Sequence, residues 1–136
     1  MKANLLRTSI AAMLAASAAL AQSSADFKAN VPFGFIVGNQ TLHAGQYTVN
    51  ELGVQGAVVI KCAGCKGAAI AIGSALHSIV RRNEGRLVFH QYGNTYFLAE
   101  VWTAGNDGRQ LPMTSREHVV AARLAAPDGT VIAVTR

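Results

Sequence analysis

The chain has 136 residues, with 12 Lys and Arg against 7 Asp and Glu, and two cysteines. That length suits one domain able to bury a core without metal or extensive disulfides. The formal charge of +5 is too thinly spread for a nucleic-acid groove, which calls for a dense basic stripe interleaved with aromatics.

The first 21 residues read as a secretory signal peptide. Lys2 and Arg7 give the positive start, and Ile10 to Leu20 is apolar apart from Ser17. Ala19-Leu20-Ala21 then supplies the small-x-small cleavage pattern, with a second possible site at Ser23-Ser24-Ala25. The apolar run is roughly half the length of about 20 residues that a membrane span needs. No Cys follows it to carry a lipid. The expected product is residues 22–136, a single β-rich bacterial domain, secreted or periplasmic, with no integral membrane segment. Losing Lys2 and Arg7 leaves 10 basic residues against 7 acidic, so the mature charge is about +3.

Period-two patterning dominates the remainder. Phe27, Ala29, Val31, Phe33, Phe35 and Val37 make one apolar face, and Pro32 and Gly34 mark an edge strand or a bulge. Gly38-Asn39 reads as a turn. Gln46 to Glu51 is a second strand, with Tyr47 and Val49 on one face. Ala57 to Cys62 is a third, rich in β-branched residues. Ala63-Gly64 turns the chain into a fourth strand, Ala68 to Leu76, and His77 to Gly85 reads as a polar loop.

Arg86 to Tyr92 and Thr95 to Trp102 form the clearest hairpin, joined by Gly93-Asn94. A two-residue turn there pairs Tyr92 with Thr95, His90 with Phe97 and Leu87 with Glu100. One face then carries Val88, His90, Tyr92, Phe97 and Val101. The other carries Leu87, Phe89, Tyr96, Leu98 and Trp102. Both are apolar, so the hairpin is expected to be covered on both sides. Asn106-Asp107-Gly108 reads as a further turn. Thr114-Ser115-Arg116-Glu117 matches a capping box, with Thr114 as N-cap and Glu117 reaching back. A helix over His118 to Ala125, stopped by Pro127, and then a strand is preferred to a hairpin pairing Val119–Leu124 with Thr130–Thr135.

Cys62-Ala-Gly-Cys65 is the most conspicuous chemical element. A redox pair needs its first Cys at a helix N-terminus, and zinc needs two further ligands. This pair flanks a turn between strands, and His43, His77, His90 and His118 are scattered far from it. A disulfide clipping the turn is the expectation, since residues i and i+3 of a β-turn lie within bridging reach. No metal, cofactor or catalytic constellation is expected, because GxSxG, HExxH and phosphate-cradling glycine loops are absent. The register above puts His90 and Glu100 on opposite faces. Arg81, Arg82 and Arg86 read as a solvated loop, and the aromatics as core.

Two stretches carry a resemblance. They are Val31-Pro-Phe-Gly-Phe-Ile-Val-Gly-Asn-Gln-Thr-Leu-His-Ala-Gly-Gln-Tyr-Thr-Val49, and Leu87-Val-Phe-His-Gln-Tyr-Gly-Asn-Thr-Tyr-Phe-Leu-Ala-Glu-Val-Trp102 followed by Leu111-Pro112. Together they resemble a family of small, exported, uncharacterised β-rich proteins abundant in acidobacteria. The resemblance implies an exported β domain and transfers no functional residue. His43 stands where that family usually has Pro, and the Cys62/Cys65 turn stands where it usually has a plain polar turn.

The expected fold is therefore all-β, a small antiparallel barrel or sandwich of six to eight strands with one short C-terminal helix. The expected role is a non-enzymatic structural or interaction module with a protein or cell-surface partner, self-association included. A carrier of a small apolar ligand, with a cavity between the sheets, is the alternative. A hydrolase or redox enzyme is the third reading.

Overall fold

Alternating apolar residues can be buried only if something covers the face they share, and two sheets and a helix do so here. A computed structural model describes residues 26–52, 56–124 and 129–134. The expected signal peptide with both cleavage sites lies outside those residues, as does Pro127. The described strands are β1 (Phe27–Val31), β2 (Phe35–Val37), β3 (Gln40–Leu42), β4 (Gly45–Leu52), β5 (Ala57–Cys62), β6 (Ala68–Ile72), β7 (Ser74–Arg82), β8 (Arg86–Tyr92), β9 (Thr95–Trp102), β10 (Gly105–Gln110) and β11 (Gly129–Val134). One helix, α1 (Ser115–Leu124), precedes β11.

Sheet A is four-stranded, ordered β1-β4-β5-β6. Sheet B runs β11-β8-β9-β10-β7, with the β2–β3 hairpin attached through a parallel bridge between Ile36 and Phe97. The all-β expectation holds, with two sheets and one short helix. The barrel alternative does not, because the two sheets remain separate, each with its own edges. The expected six to eight strands are also too few: eleven are described, because the chain breaks long apolar runs where it changes sheet.

Two such breaks matter. Pro32–Gly34 separates β1 in sheet A from β2 in sheet B, so one apolar run serves both sheets. At Gly73 the expected strand Ala68–Leu76 divides into β6 and β7, again on different sheets. A Cβ at Gly73 would lie 2.8 Å from the Gln110 carbonyl oxygen, closer than any side chain tolerates. The segment His77 to Gly85, expected as a loop, is mostly strand, since β7 runs to Arg82 by pairing with β10. Asn106-Asp107-Gly108 is likewise strand rather than turn, being part of β10.

The main core lies between the sheets. Val31, Tyr47, Val49, Val58 and Ile60 of sheet A meet Phe35, Val37, Leu87, Phe89, Leu98 and Val101 of sheet B. Phe35 sits edge-on to Tyr47 at 5.1 Å and to Phe89 at 5.3 Å, tying the sheets together through three rings. A second, smaller cluster of Ile36, Tyr92 and Phe97 lies on the outer face of sheet B, under Val120 and Ala121 of α1. Both faces of the β8–β9 hairpin are thus covered. The half-buried ion pair from Arg109 Nε to Glu51 Oε1, 2.6 Å long, links the sheets at one end.

The hairpin register needs one correction. Tyr92 pairs with Thr95 and His90 with Phe97 as expected, but Leu87 faces Val101 and Val88 faces Glu100. A β-bulge between Val88 and Phe89 in the register adds Ala99 to the β9 side, and beyond it every side chain on β9 changes face. Val101 therefore enters the core, while Glu100 moves to the outer face with His90.

Gly108 shows how tightly this outer face is built. A Cβ there would fall 2.6 Å from two carbons of the Trp102 ring, with Val101 backbone at 3.0 Å. Gly108→Ala is expected to lower stability by about 1–3 kcal/mol, the usual cost of overpacking. Urea unfolding monitored by far-UV circular dichroism checks this.

Candidate functional site

The bulge and the helix together make a polar cluster on the outer face of sheet B. Thr114 caps α1 as expected: its Oγ1 accepts the Glu117 N–H at 3.2 Å. The reciprocal half of the capping box does not form. Glu117 instead turns inward onto sheet B and is 3% exposed. Its Oε1 lies 2.8 Å from His90 Nδ1 and accepts the Tyr92 hydroxyl at 3.0 Å.

A buried carboxylate is costly unless partnered, and here one oxygen takes two partners from β8. The spacing explains why it can. His90 and Tyr92 are two apart on a strand and share its outer face, and Glu117 lies in the first turn of the helix crossing that face. The Tyr92 hydroxyl pKa is pushed up to about 12, by burial first and then by its hydrogen bond to Glu117 and the nearby negative charge. Tyr92 therefore remains a donor over the whole physiological range.

With Nδ1 engaged, Nε2 is the ring nitrogen of His90 left for other chemistry. His90 lines a surface pocket of about 370 Å³ with Glu100, Ser74, Gln110 and Leu111. The expected separation of His90 from Glu100 is thus overturned by the bulge. The Glu100 carboxylate already has a partner, for its Oε2 accepts the Trp102 indole N–H at 2.7 Å. Ser74 is no nucleophile for His90. It lies opposite Gln110, which lies opposite Glu100, which lies opposite Val88. Three strand spacings separate Ser74 from β8, about 14 Å.

The other candidate residues stay apart. Cys62 and Cys65 meet at disulfide distance, with Cα atoms 5.3 Å apart, in the turn between β5 and β6 and away from any helix. Gly64 takes a φ of +85° inside that turn. His43 contributes only its carbonyl, which accepts the Tyr47 hydroxyl. His77 bonds Asp107 at 2.9 Å, with both side chains exposed. His118 is exposed on α1. Among the described residues no group of three or more His, Cys, Asp or Glu could hold a metal, and no helix is long and apolar enough to cross a membrane.

By its place three residues after Thr114, Glu117 reads in the sequence as a capping residue. The signal that would have found its role is the helical period: Glu117, Val120, Ala121 and Leu124 share one stripe, and a charge in such a stripe needs a buried partner.

The fold and this site define an all-β, two-sheet protein whose helix is latched by a buried carboxylate. The chain matches no protein-family model, no curated protein and no solved structure.

Two outcomes follow. The Tyr92 pKa is higher folded than unfolded, so the stability it contributes is complete below pH 10 and lost as pH rises towards about 12. Phenolate absorbance should show a phase near pH 12 that Tyr92→Phe removes. Replacing both Cys62 and Cys65 by Ser should cost about 2 kcal/mol or less, because the closed loop is so short. Denaturant midpoints of the two forms provide the comparison.

Proposed function

We propose that the protein is an exported, non-enzymatic structural module that works by pairing strand edges with a second copy of itself. The observation that carries this reading is strand β6. It forms the edge of sheet A, and β5 is its only strand partner among the described residues. Its sequence, Ala-Ala-Ile-Ala-Ile, holds no charge, no proline and no bulge, the devices that normally blunt an edge. Ile70 and Ile72 point outward at 70% and 62% exposed. An antiparallel strand can pair with its own copy across a two-fold axis, so one such edge suffices for a closed dimer.

Features elsewhere in the molecule support the same reading over the others. Phe35, Tyr47 and Phe89 fill the space between the sheets where a carrier would hold an apolar ligand. His90 is committed to a carboxylate that latches the helix, and the hydroxyl in its pocket is three strands away. Export rests on the N-terminal charge, apolar run and small-residue site, and a disulfide at Cys62 and Cys65 suits an oxidising compartment.

Sedimentation velocity tests the proposal. The chain should form dimers or larger species at micromolar concentrations, and Ile70→Lys with Ile72→Lys should return it to monomer without changing its circular dichroism. A monomer across that range, or association unaffected by the two lysines, refutes edge pairing.

A further inference from the structure

The turn joining β7 to β8 has a chemistry that edge pairing does not use. Residues Val80 to Arg86 curl around a surface concavity of about 530 Å³, and three of the seven are arginines. Arg81 is exposed, whereas Arg82 and Arg86 are half-buried. The Nε atoms of both are buried, and neither has a hydrogen-bond partner among the described residues. Buried donors are almost always satisfied, so two orphans on arginines that line one concavity need a reason.

Local charge does not supply it. The ion pairs of the described residues join His77 to Asp107, His90 to Glu117 and Arg109 to Glu51, and none includes these arginines. Glu84 is exposed in the turn itself, and the Glu100 carboxylate accepts the Trp102 indole N–H. Burial, and then the charge of Arg82, hold the Arg86 guanidinium below its ordinary pKa against a smaller opposing effect of Glu100. Arg86 is nevertheless held in place, with its guanidinium 5.3 Å from the centre of the Trp102 ring. The turn is anchored as well, since Gly85 packs so closely on Phe27 that a Cβ would lie 2.5 Å from the ring.

Two guanidinium groups beside a concavity, neither in an ion pair among the described residues and one of them held against Trp102, make a site for an anion. One carboxylate satisfies one guanidinium fork. A tetrahedral oxyanion has enough oxygens to accept from two at once, and the concavity has room for it. We propose that the β7–β8 turn binds phosphate, free or as a phosphate ester, between Arg82 and Arg86, with Arg81 at the rim.

Trp102 is the chain's only tryptophan, so its fluorescence reports on Arg86 directly. Inorganic phosphate, titrated at constant ionic strength, should produce a saturable fluorescence change and raise the thermal midpoint, while chloride does neither. Arg82→Gln should weaken phosphate binding at least tenfold. Arg86→Gln should do the same, and Arg82→Gln keeps the test valid if loss of the Trp102 contact unfolds that variant.

Vesicles separate the two sources. Sedimentation of the chain with phosphatidylglycerol vesicles but not phosphatidylcholine vesicles, competed by inorganic phosphate, assigns the site to a lipid headgroup. Saturable phosphate binding without vesicle binding assigns it to free phosphate. Equal responses to phosphate and chloride by fluorescence and calorimetry, or unchanged phosphate affinity in Arg82→Gln, overturn the proposal.

Discussion

Everything else in this fold is arranged around a hairpin that is apolar on both faces. Leu87, Phe89, Leu98 and Val101 on one side, and Tyr92 and Phe97 on the other, cannot all be dried by a single partner sheet. Each buried side chain of this size is worth about 1.5–3 kcal/mol, so leaving either face wet would consume much of a domain's net stability. Sheet A takes the inner face. The outer face obliges the chain to send α1 back across β8 and β9 after the last turn.

That second layer is thin, and it explains the buried carboxylate. A ten-residue helix offers few apolar contacts, and Val120 and Ala121 are small anchors. Glu117 adds a directional contact by accepting from Tyr92 and meeting His90 on the strand beneath. Such a latch specifies where the helix sits, because its geometry is met in one position only, whereas apolar contact alone tolerates sliding. Its cost is a desolvated charge, which the two partners offset.

The same thinness leaves surfaces elsewhere. Because the chain spends its apolar runs on crossing between sheets at Pro32–Gly34 and Gly73, neither sheet closes and both keep edges. The β6 edge is uncharged and apolar, while the far end of β7 runs into the arginine-rich turn. The two features sit at opposite ends of one continuous stretch, β6 to β7, and have opposite chemistry. Strand pairing at one and anion binding at the other therefore do not compete for the same residues.

Much of this was legible in the amino-acid order. Period-two alternation and β-branched content identify β4, β5, β8 and β9 nearly residue by residue, Gly38-Asn39 marks the β2–β3 turn and Gly93-Asn94 the β8–β9 turn, and Thr114 announces the helix. These signals are local: they depend on side-chain period, turn chemistry and one cap. Three things were not local and were decided by tertiary packing. The bulge at Ala99 left no mark in the alternation, yet it brought Glu100 to the face of His90. Strand status for His77–Arg82 and Asn106–Gly108 came from their pairing with each other, which overrides the turn preference of Asn-Asp-Gly. Glu117 looked like a capping residue because the chain order shows its neighbours at three residues' distance, while its true partners lie 27 and 25 residues away. The sequence by itself determined which residues must be buried. Only the folded arrangement of two sheets and a helix decided which polar groups are buried with them.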